Sequence, residues 1–206
     1  MDGTAAVARR IGLLPKRSRQ VAIDSTGYDA GHVSTYFARR TGVERRHFSK
    51  LTVVCDTRCH FYLGEVADRG PCSDDLEFRE AMLDAFRRHP FEEALADAGY
   101  DAEGHHVLVR ESLRARSIIP ATRGRPSKRL PTGRYRRRMA QRFPKKRYGQ
   151  RWQIESCFSQ DKRRFGSSIE GRTTASRCRA LRLRVIVHNI GILHVPPGSQ
   201  TAGHAA

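Results

Sequence analysis

Three short runs of β-branched and aromatic residues open the patterned part of the chain. They cover residues 20–23, 50–55 and 60–66, and runs of this length and composition are typical of β-strands. The polar residues 56–58 separate the second run from the third, which predicts a β-hairpin. The first run ends in Asp24, so the first predicted strand places a carboxylate at its end.

Helical and extended patterns alternate in the middle of the chain. Asp74, with Glu77 three positions later, resembles a capping box and begins a predicted helix that residues 89–90 end. The next predicted elements are a strand, a helix and a strand, over residues 91–96, 101–113 and 117–119. This second set of strands delivers another carboxylate, Asp97, and Asp101 is predicted to cap the helix that follows.

The C-terminal part predicts two helices. Pro144 suits the first turn of a helix that continues to Phe165, where Gly166 stops it. A last helix is predicted over residues 177–193, before a disordered tail at 196–206. The resulting order, βββαβαβα, indicates an α/β fold.

Positive charge changes this picture because it is concentrated in one segment. The chain has 39 Lys and Arg against 21 acids, a net charge of +18, which favours a polyanionic partner such as nucleic acid. Residues 110–164 hold 19 of the basic residues and 3 of the acids. Within them, residues 123–129 and 134–139 predict an exposed basic loop over residues 120–143.

An anionic membrane surface is the second partner that this charge allows, but the sequence gives no spanning segment. A spanning helix needs about 20 apolar residues, and the best candidate, residues 181–195, contains two arginines. No membrane partner is therefore expected, and the predicted location is the cytoplasm, in association with the nucleoid.

Three carboxylates are candidates for metal chemistry. Asp24 and Asp97 end predicted strands, and Glu155 lies on the helix that follows the basic loop. If the two strands are neighbours, these oxygens can share Mg²⁺ or Mn²⁺. The competing interpretation is that each Asp forms a turn or caps a helix, as Asp residues commonly do.

Glu155 has basic and aromatic neighbours on its helix face. At 100° per residue, Tyr148, Arg151, Glu155 and Lys162 fall within about 60° of one another. This arrangement also fits ordinary helical ion pairs, Arg151 with Glu155 above all, and such a pair contributes only a few tenths of a kcal/mol.

The spacing Tyr148-x-x-Arg151-x-x-x-Glu155, followed by Lys162 seven positions on, resembles the motif that carries the catalytic Glu in DDE transposases of bacterial insertion sequences. Residues 21–27 (VAIDSTG) resemble the family's first-Asp segment, and residues 95–101 (LADAGYD) its second-Asp segment. The three motifs occur in the order that the family has.

The resemblance implies a ribonuclease H-like fold with a mixed five-stranded sheet. It implies that Asp24, Asp97 and Glu155 hold two Mg²⁺ or Mn²⁺ ions for DNA cleavage and strand transfer. Tyr148, Arg151 and Lys162 would then contact phosphates of the transposon end. The expected partners are the transposon ends and target DNA, bound by a homodimer. Asp101 competes with Asp97 for the second metal position, and the resemblance favours Asp97.

The chain also departs from the family pattern, because fewer than 25 residues precede Asp24. This predicts a truncated transposase, with a basic N-terminal remnant at 1–19, a catalytic domain at 20–195 and the tail at 196–206. The alternative function is a catalytically inactive remnant that acts as a basic DNA-binding module, and a more remote one is a structure-specific nuclease with the same fold.

Other reactive or aromatic residues give weaker signals. Five cysteines, an odd number at uneven spacing, predict reduced thiols rather than a disulfide framework or a zinc site at Cys55, Cys59 and His60. The single Trp, Trp152, is predicted to pack in the core, with stacking on a DNA base as the alternative. The pair at residues 105–106 (HH) is predicted to be exposed on a helix.

Overall fold

Six strands join one mixed sheet in the described part of the chain, which comprises residues 2–30, 48–70, 74–122 and 130–194 of a computed structural model. The strands are β1 Val21–Ala30, β2 Phe48–Asp56, β3 Tyr62–Arg69, β4 Glu93–Leu95, β5 Arg116–Ile118 and β6 Ser168–Ile169. The helices are α1 Asp2–Arg10, α2 Asp74–Arg88, α3 Glu103–Val107, α4 Arg134–Gln141, α5 Lys145–Tyr148, α6 Trp152–Phe165 and α7 Thr174–Leu193. Short 3₁₀ turns cover Ala98–Tyr100 and Gly149–Arg151, and a π turn covers Leu108–Ser112.

The strand order is β3-β2-β1-β4-β5, with β6 beside the far end of β1. The first three strands are antiparallel, whereas β4 and β5 run parallel to β1. This mixed sheet with helices on both faces is the ribonuclease H-like α/β fold that the resemblance implied, with one addition. The two-residue strand β6 was not predicted, because so short a stretch carries no periodicity.

Alternation along the strands sends side chains to two separate cores. Val21 and Ile23 of β1 pack with α1, α2 and the segment after α3 on one face. Ala22 packs on the other face with Leu95 of β4 and Ile154 of α6. The period-two alternation of the strands produces this division, and it fixes α6 against the centre of the sheet.

Strand β1 is longer than its apolar run. Its ladder with β2 continues from Asp24, opposite Val53, to Asp29, opposite Phe48. The expectation that Asp24 ends the strand is therefore wrong. Backbone hydrogen bonds carry the strand past the point where its apolar residues stop, and Asp24 lies within it.

The N-terminal segment is not the irregular remnant expected for residues 1–19. Helix α1 covers nine of these residues, and Ala5, Ala8 and Leu14 are buried in the first core. Small alanines bring the helix close to the sheet, and the surrounding arginines hid this apolar stripe from the sequence pattern.

The basic loop expected at residues 120–143 contains helix α4 over part of its length. The backbone N–H groups of Tyr135 and Arg136 donate to the Glu103 carboxylate over 2.9 and 3.0 Å. An acid at a helix N-terminus stabilises it, and here the acid comes from α3. Residues 123–129 of the expected loop and the tail from residue 195 onward lie outside the described residues.

A buried polar cluster ties α6 and α7 to the edge strand β3. Asp161 accepts hydrogen bonds from the Tyr62 hydroxyl over 2.8 Å and from Nδ1 of His188 over 2.7 Å. The Asn189 side chain pairs with both the N–H and the C=O of Tyr62 over 2.9 Å. Helix α7 thereby covers part of the edge of β3, where unpaired backbone groups would otherwise remain.

Several side chains differ in role from the sequence predictions. His105 and His106 are buried rather than exposed. Asp101 caps no helix and instead forms a bidentate pair with Arg136, over 2.9 and 2.7 Å. Glu77, expected in a capping box, forms a buried ion pair with Lys50 over 2.9 Å. Long-range partners decide each of these positions.

Within the described ranges, no helix combines the length and apolar character that crossing a membrane requires.

Candidate active site

Asp24 lies within β1, and Asp97 comes two residues after the end of the neighbouring strand β4. β1 pairs with β4 in parallel register, with Ala22 opposite Leu95, and each Asp comes two residues later on its chain. The register therefore brings the two carboxylates near each other, and the charge of Asp97 contributes to raising the pKa of Asp24. One oxygen of each is held locally, since Ser25 N–H donates to Asp24 and Gly99 N–H to Asp97, both over 2.8 Å.

Arg151 connects this pair to Glu155. Its Nη1 lies 3.1 Å from Oδ2 of Asp24, and its Nη2 binds Oε1 of Glu155. Buried Ile154 anchors the start of α6 in the second core, so the face that carries Arg151 and Glu155 lies over β1. The expected helical ion pair with Glu155 is present, and the same arginine also contacts Asp24.

The pKa of Asp24 depends on its burial and on the charges around it. Burial raises the pKa of Asp24, and the negative charges of Asp97 and Glu155 raise it further, while the Ser25 N–H and Arg151 oppose the shift. Burial also raises the pKa of Tyr148, which interacts with Arg151, Asp97 and Asp24. Ionising Asp24 is therefore costly here, and a cation beside it relieves that cost.

The carboxylates lie around a guanidinium rather than around open space. In the described ranges, no group of three or more His, Cys, Asp or Glu side chains is arranged to hold a metal ion. The oxygens of Asp24 and Glu155 that face each other are already taken by Arg151. Their chemistry still fits a hard divalent cation, because carboxylate oxygens are its preferred ligands. Arg151 occupies the position of positive charge between them.

Asp101, the competitor for the second position, is engaged elsewhere. Although burial raises its pKa, hydrogen bonds from Arg136 and Thr122 lower it overall. Its carboxylate belongs to the contact between α4 and the segment before α3. The register with β1 instead brings Asp97 beside Asp24.

Lys162 lies apart from the carboxylates. It is seven residues beyond Glu155 on α6, a rise of about 10 Å, and its Nζ lies 5.3 Å from the centre of the Tyr28 ring. Arg184 of α7 approaches the same ring at 5.1 Å. Sequence reasoning missed Tyr28 and Arg184, since nothing in their local pattern indicated that β1 extends this far.

A second acid on β4, Glu93, was also missed. It is buried, and its Oε1 lies 2.8 Å from Nη1 of Arg116 and 2.9 Å from Nη1 of Arg147. The sequence signal that could have identified Glu93 is its position inside a short apolar stretch. An acidic residue there is expected to be buried, and a buried charge requires partners.

Trp152 is the first residue of α6. It is 38% exposed, so the expectation of core packing is wrong.

The cysteines of the described residues are not in disulfides. The Sγ atoms of Cys55 and Cys157 lie 3.8 Å apart in the second core, and Cys55, Cys59, Cys157 and Cys178 are free thiols, as expected. Cys72 lies outside the described residues.

No protein of curated function matches the chain by sequence. The catalytic core domain of BIV integrase is similar at a TM-score of 0.39 and 13% identity over 82% of each chain. The Mos1 transposase catalytic domain, solved with raltegravir and Mg, is similar at a TM-score of 0.34 and 10% identity, over 93% of this chain and 92% of that one. The family model of the transposase DDE domain matches residues 15–190, and the chain therefore belongs to the transposase DDE domain family.

Proposed function

We propose that the chain cleaves DNA at the ends of an insertion sequence and joins the freed 3′ ends to target DNA. The observation that carries the proposal is that Arg151 contacts both Asp24 and Glu155, while the charges of Asp97 and Glu155 both act to raise the pKa of Asp24. Family membership supports a transposase catalytic function, and the bacterial insertion-sequence type rests on the spacing from Tyr148 to Lys162.

Asp24, Asp97 and Glu155 are proposed to hold two divalent cations, Mg²⁺ or Mn²⁺. When bound, such ions supply an activated nucleophile and stabilise the charges of an in-line displacement at phosphorus. The rigid strands and α6 fix the three carboxylates, which is the pre-organisation that electrostatic catalysis needs. Arg151, with Tyr148 beside it, and Lys162 farther along α6 are proposed to bind DNA phosphates on either side of the cleaved bond.

Arg151 then has two alternative partners, the carboxylates or a DNA phosphate. Because its guanidinium competes with a cation for Asp24 and Glu155, Arg151→Gln is expected to bind Mn²⁺ about tenfold more tightly than the wild type when DNA is absent. Titration calorimetry with Mn²⁺ alone measures this. The control is Arg163→Gln, an exposed change on the same helix. Equal Mn²⁺ affinity in wild type and Arg151→Gln would contradict the competition.

The proposed function is tested by Asp97→Asn in the full chain. A plasmid carrying the element's ends is incubated with Mg²⁺ or Mn²⁺, and nicked and joined products are separated on a gel. Asp97→Asn is expected to lower the product rate at least about a hundredfold, because it removes a charged ligand. The matched control Asp29→Asn changes an exposed carboxylate of β1 and is expected to cleave like the wild type.

The same assay separates the alternatives. A wild-type chain that binds DNA without metal-dependent cleavage would be the inactive DNA-binding module instead. Cleavage of branched DNA without joining would indicate a structure-specific nuclease. Retained cleavage in Asp97→Asn would transfer the second ligand position to another carboxylate. The active species on the ends is proposed to be a homodimer, and its mass on end DNA is measured by light scattering.

A further inference from the structure

A second basic surface lies at the other end of β4 and β5 from the carboxylates. Two adjoining hollows share Arg110, Arg116 and Arg138 in their walls. The arginine groove, as this surface is named here, is lined by Arg110, Arg114, Arg116, Arg134, Arg138 and Arg142.

Part of the groove is held rigid by polar contacts. The Nε and Nη2 of Arg110 donate to the Oγ and carbonyl oxygen of Ser117, both over 2.7 Å. Arg110 and Arg134 lie 5.0 and 5.3 Å from the centre of the Tyr135 ring. Arg116 is fixed by buried Glu93. These contacts already hold the guanidiniums in place, so the side chains lose little further conformational freedom when a ligand binds.

The remaining arginines form no ion pair with a described residue, although Glu92 lies in the wall of the same hollow as Arg114 and Arg138. Arg114, Arg138 and Arg142 are exposed, and among the residues that the structure describes no carboxylate pairs with any of them. Burial, together with the charges of Arg138 and Arg116, lowers the pKa of Arg110. The arginines therefore repel one another, and a polyanion in the groove would relieve that repulsion.

The spacing of the charges fits a repeating polyanion. Arg134 and Arg138 are four residues apart, or about 6 Å along α4, and Arg142 follows directly after the helix ends. Duplex DNA carries one negative charge per about 1.7 Å of its axis, so it presents phosphates along the whole row. Arg114 adds a cation from a turn with a left-handed backbone, φ 52°, a conformation that Gly or Asn adopts more readily.

The groove is linked to the candidate active site by one line of basic residues. Glu93, which binds Arg116, lies four residues before Asp97, about 13 Å along the strand. Arg147 also binds Glu93, and four residues later Arg151 binds Asp24. A duplex that contacts both the arginine groove and the carboxylates places one phosphate at each. These two phosphates are about four base pairs apart.

We propose that the arginine groove is a second DNA site, which binds the backbone of duplex DNA flanking the cleaved phosphate. This inference rests on the proposed function, but the groove itself touches no reacting atom. It supplies affinity and orientation through phosphate contacts and carries no base readout.

The test is a charge reversal in the groove of the full chain. Arg114→Glu/Arg138→Glu is expected to lower affinity for a random duplex of about 30 base pairs at least about tenfold near 0.15 M salt, and to reduce the salt slope by about 2. The matched control is Arg79→Glu/Arg87→Glu on α2, which makes the same change in net charge at exposed arginines outside the groove, and whose affinity is expected to stay within about twofold. Fluorescence anisotropy gives the affinities.

Three further measurements complete the design. Thermal melting shows that the variants fold, and the neutral double variant Arg114→Gln/Arg138→Gln is expected to show about half the loss of affinity. An equal loss in groove and control variants, or single-stranded RNA or polyglutamate bound as tightly as the duplex, would overturn the groove assignment. Metal-dependent cleavage at saturating DNA is measured in parallel. If the wild-type chain never cleaves DNA but the groove variants alone lose affinity for it, the proposed function is refuted and the groove is still a DNA-binding site.

Discussion

Glu155→Gln is expected to abolish metal-dependent DNA cleavage, with a rate loss of at least about a thousandfold. A catalytic metal contributes several kcal/mol of transition-state stabilisation, and each 1.36 kcal/mol corresponds to about tenfold in rate. Glutamine keeps the size of the side chain but removes the negative charge that we propose holds a cation between α6 and β1. The same plasmid assay in Mg²⁺ and in Mn²⁺ measures the loss.

The fold and DNA binding are expected to survive this change. The pair of Glu155 with Arg151 joins positions i and i+4 on a helix, and the Glu155 side chain is 54% exposed. Such pairs contribute only about 0.3–0.5 kcal/mol, so the free energy of unfolding should barely change. Arg151 also becomes freer to bind phosphate, so affinity for duplex DNA should be equal or higher.

The matched control for this prediction is Glu170→Gln. Glu170 is exposed and follows β6, away from the three carboxylates, and its variant should cleave at the wild-type rate. Cleavage by Glu155→Gln at more than about a tenth of the wild-type rate would remove Glu155 from the metal site. Loss of DNA binding together with cleavage would instead indicate that the variant disturbs α6.

The strand pattern was largely predictable because it depends on local sequence. The β-branched runs of β2 and β3 and the polar turn between them act over a few residues, and the structure has this hairpin. The extension of β1 from Asp24 to Ala30 was not predictable in the same way. Those residues are mixed in polarity, and their partners come from β2, 19 to 29 residues later, and from β6.

The helices show the same division between local and distant causes. Gly166, with φ +80°, follows α6 as predicted. Glycine adopts a positive φ without steric cost, so its tendency to end a helix depends on the residue itself and not on distant partners. Helix α4 was missed, since a run as basic as residues 134–138 repels itself in isolation. Its first turn depends on the Glu103 carboxylate, which the chain supplies from 30 residues earlier.

The motif spacing predicts which residues form the candidate site, but it does not predict their geometry. The motif spacing selected Asp24, Asp97 and Glu155, and the β1–β4 register places the first two together. The insertion of Arg151 between Asp24 and Glu155 could not be read from spacing. It follows from the angle at which α6 crosses β1, and packing of residues such as Ile154 in the second core sets that angle.

Asp161→Asn is expected to lower the free energy of unfolding by about 3 kcal/mol, the largest stability effect proposed for this chain. Asp161 is 4% exposed, and its two oxygens accept from Tyr62 and His188. Nε2 of His188 lies 2.8 Å from the carbonyl oxygen of His60, so both ring nitrogens face acceptors. The Asp161 carboxylate therefore accepts from Nδ1, and the imidazole is held between two acceptors.

Asparagine offers one acceptor oxygen where Asp161 offers two, and its amide N–H would face a donor. Leaving a buried donor without its acceptor costs about 1–3 kcal/mol, and more where a charged group is involved. A loss of about 3 kcal/mol corresponds to a fall in Tm of about 6–12 °C for a chain of this size. Thermal and urea unfolding measure the change, with Asp29→Asn as the exposed control. Since Asp161 lies on α6, six residues beyond Glu155, the variant should also show faster amide hydrogen exchange along α6. Unchanged unfolding and exchange would mean that packing alone holds α6 on the sheet.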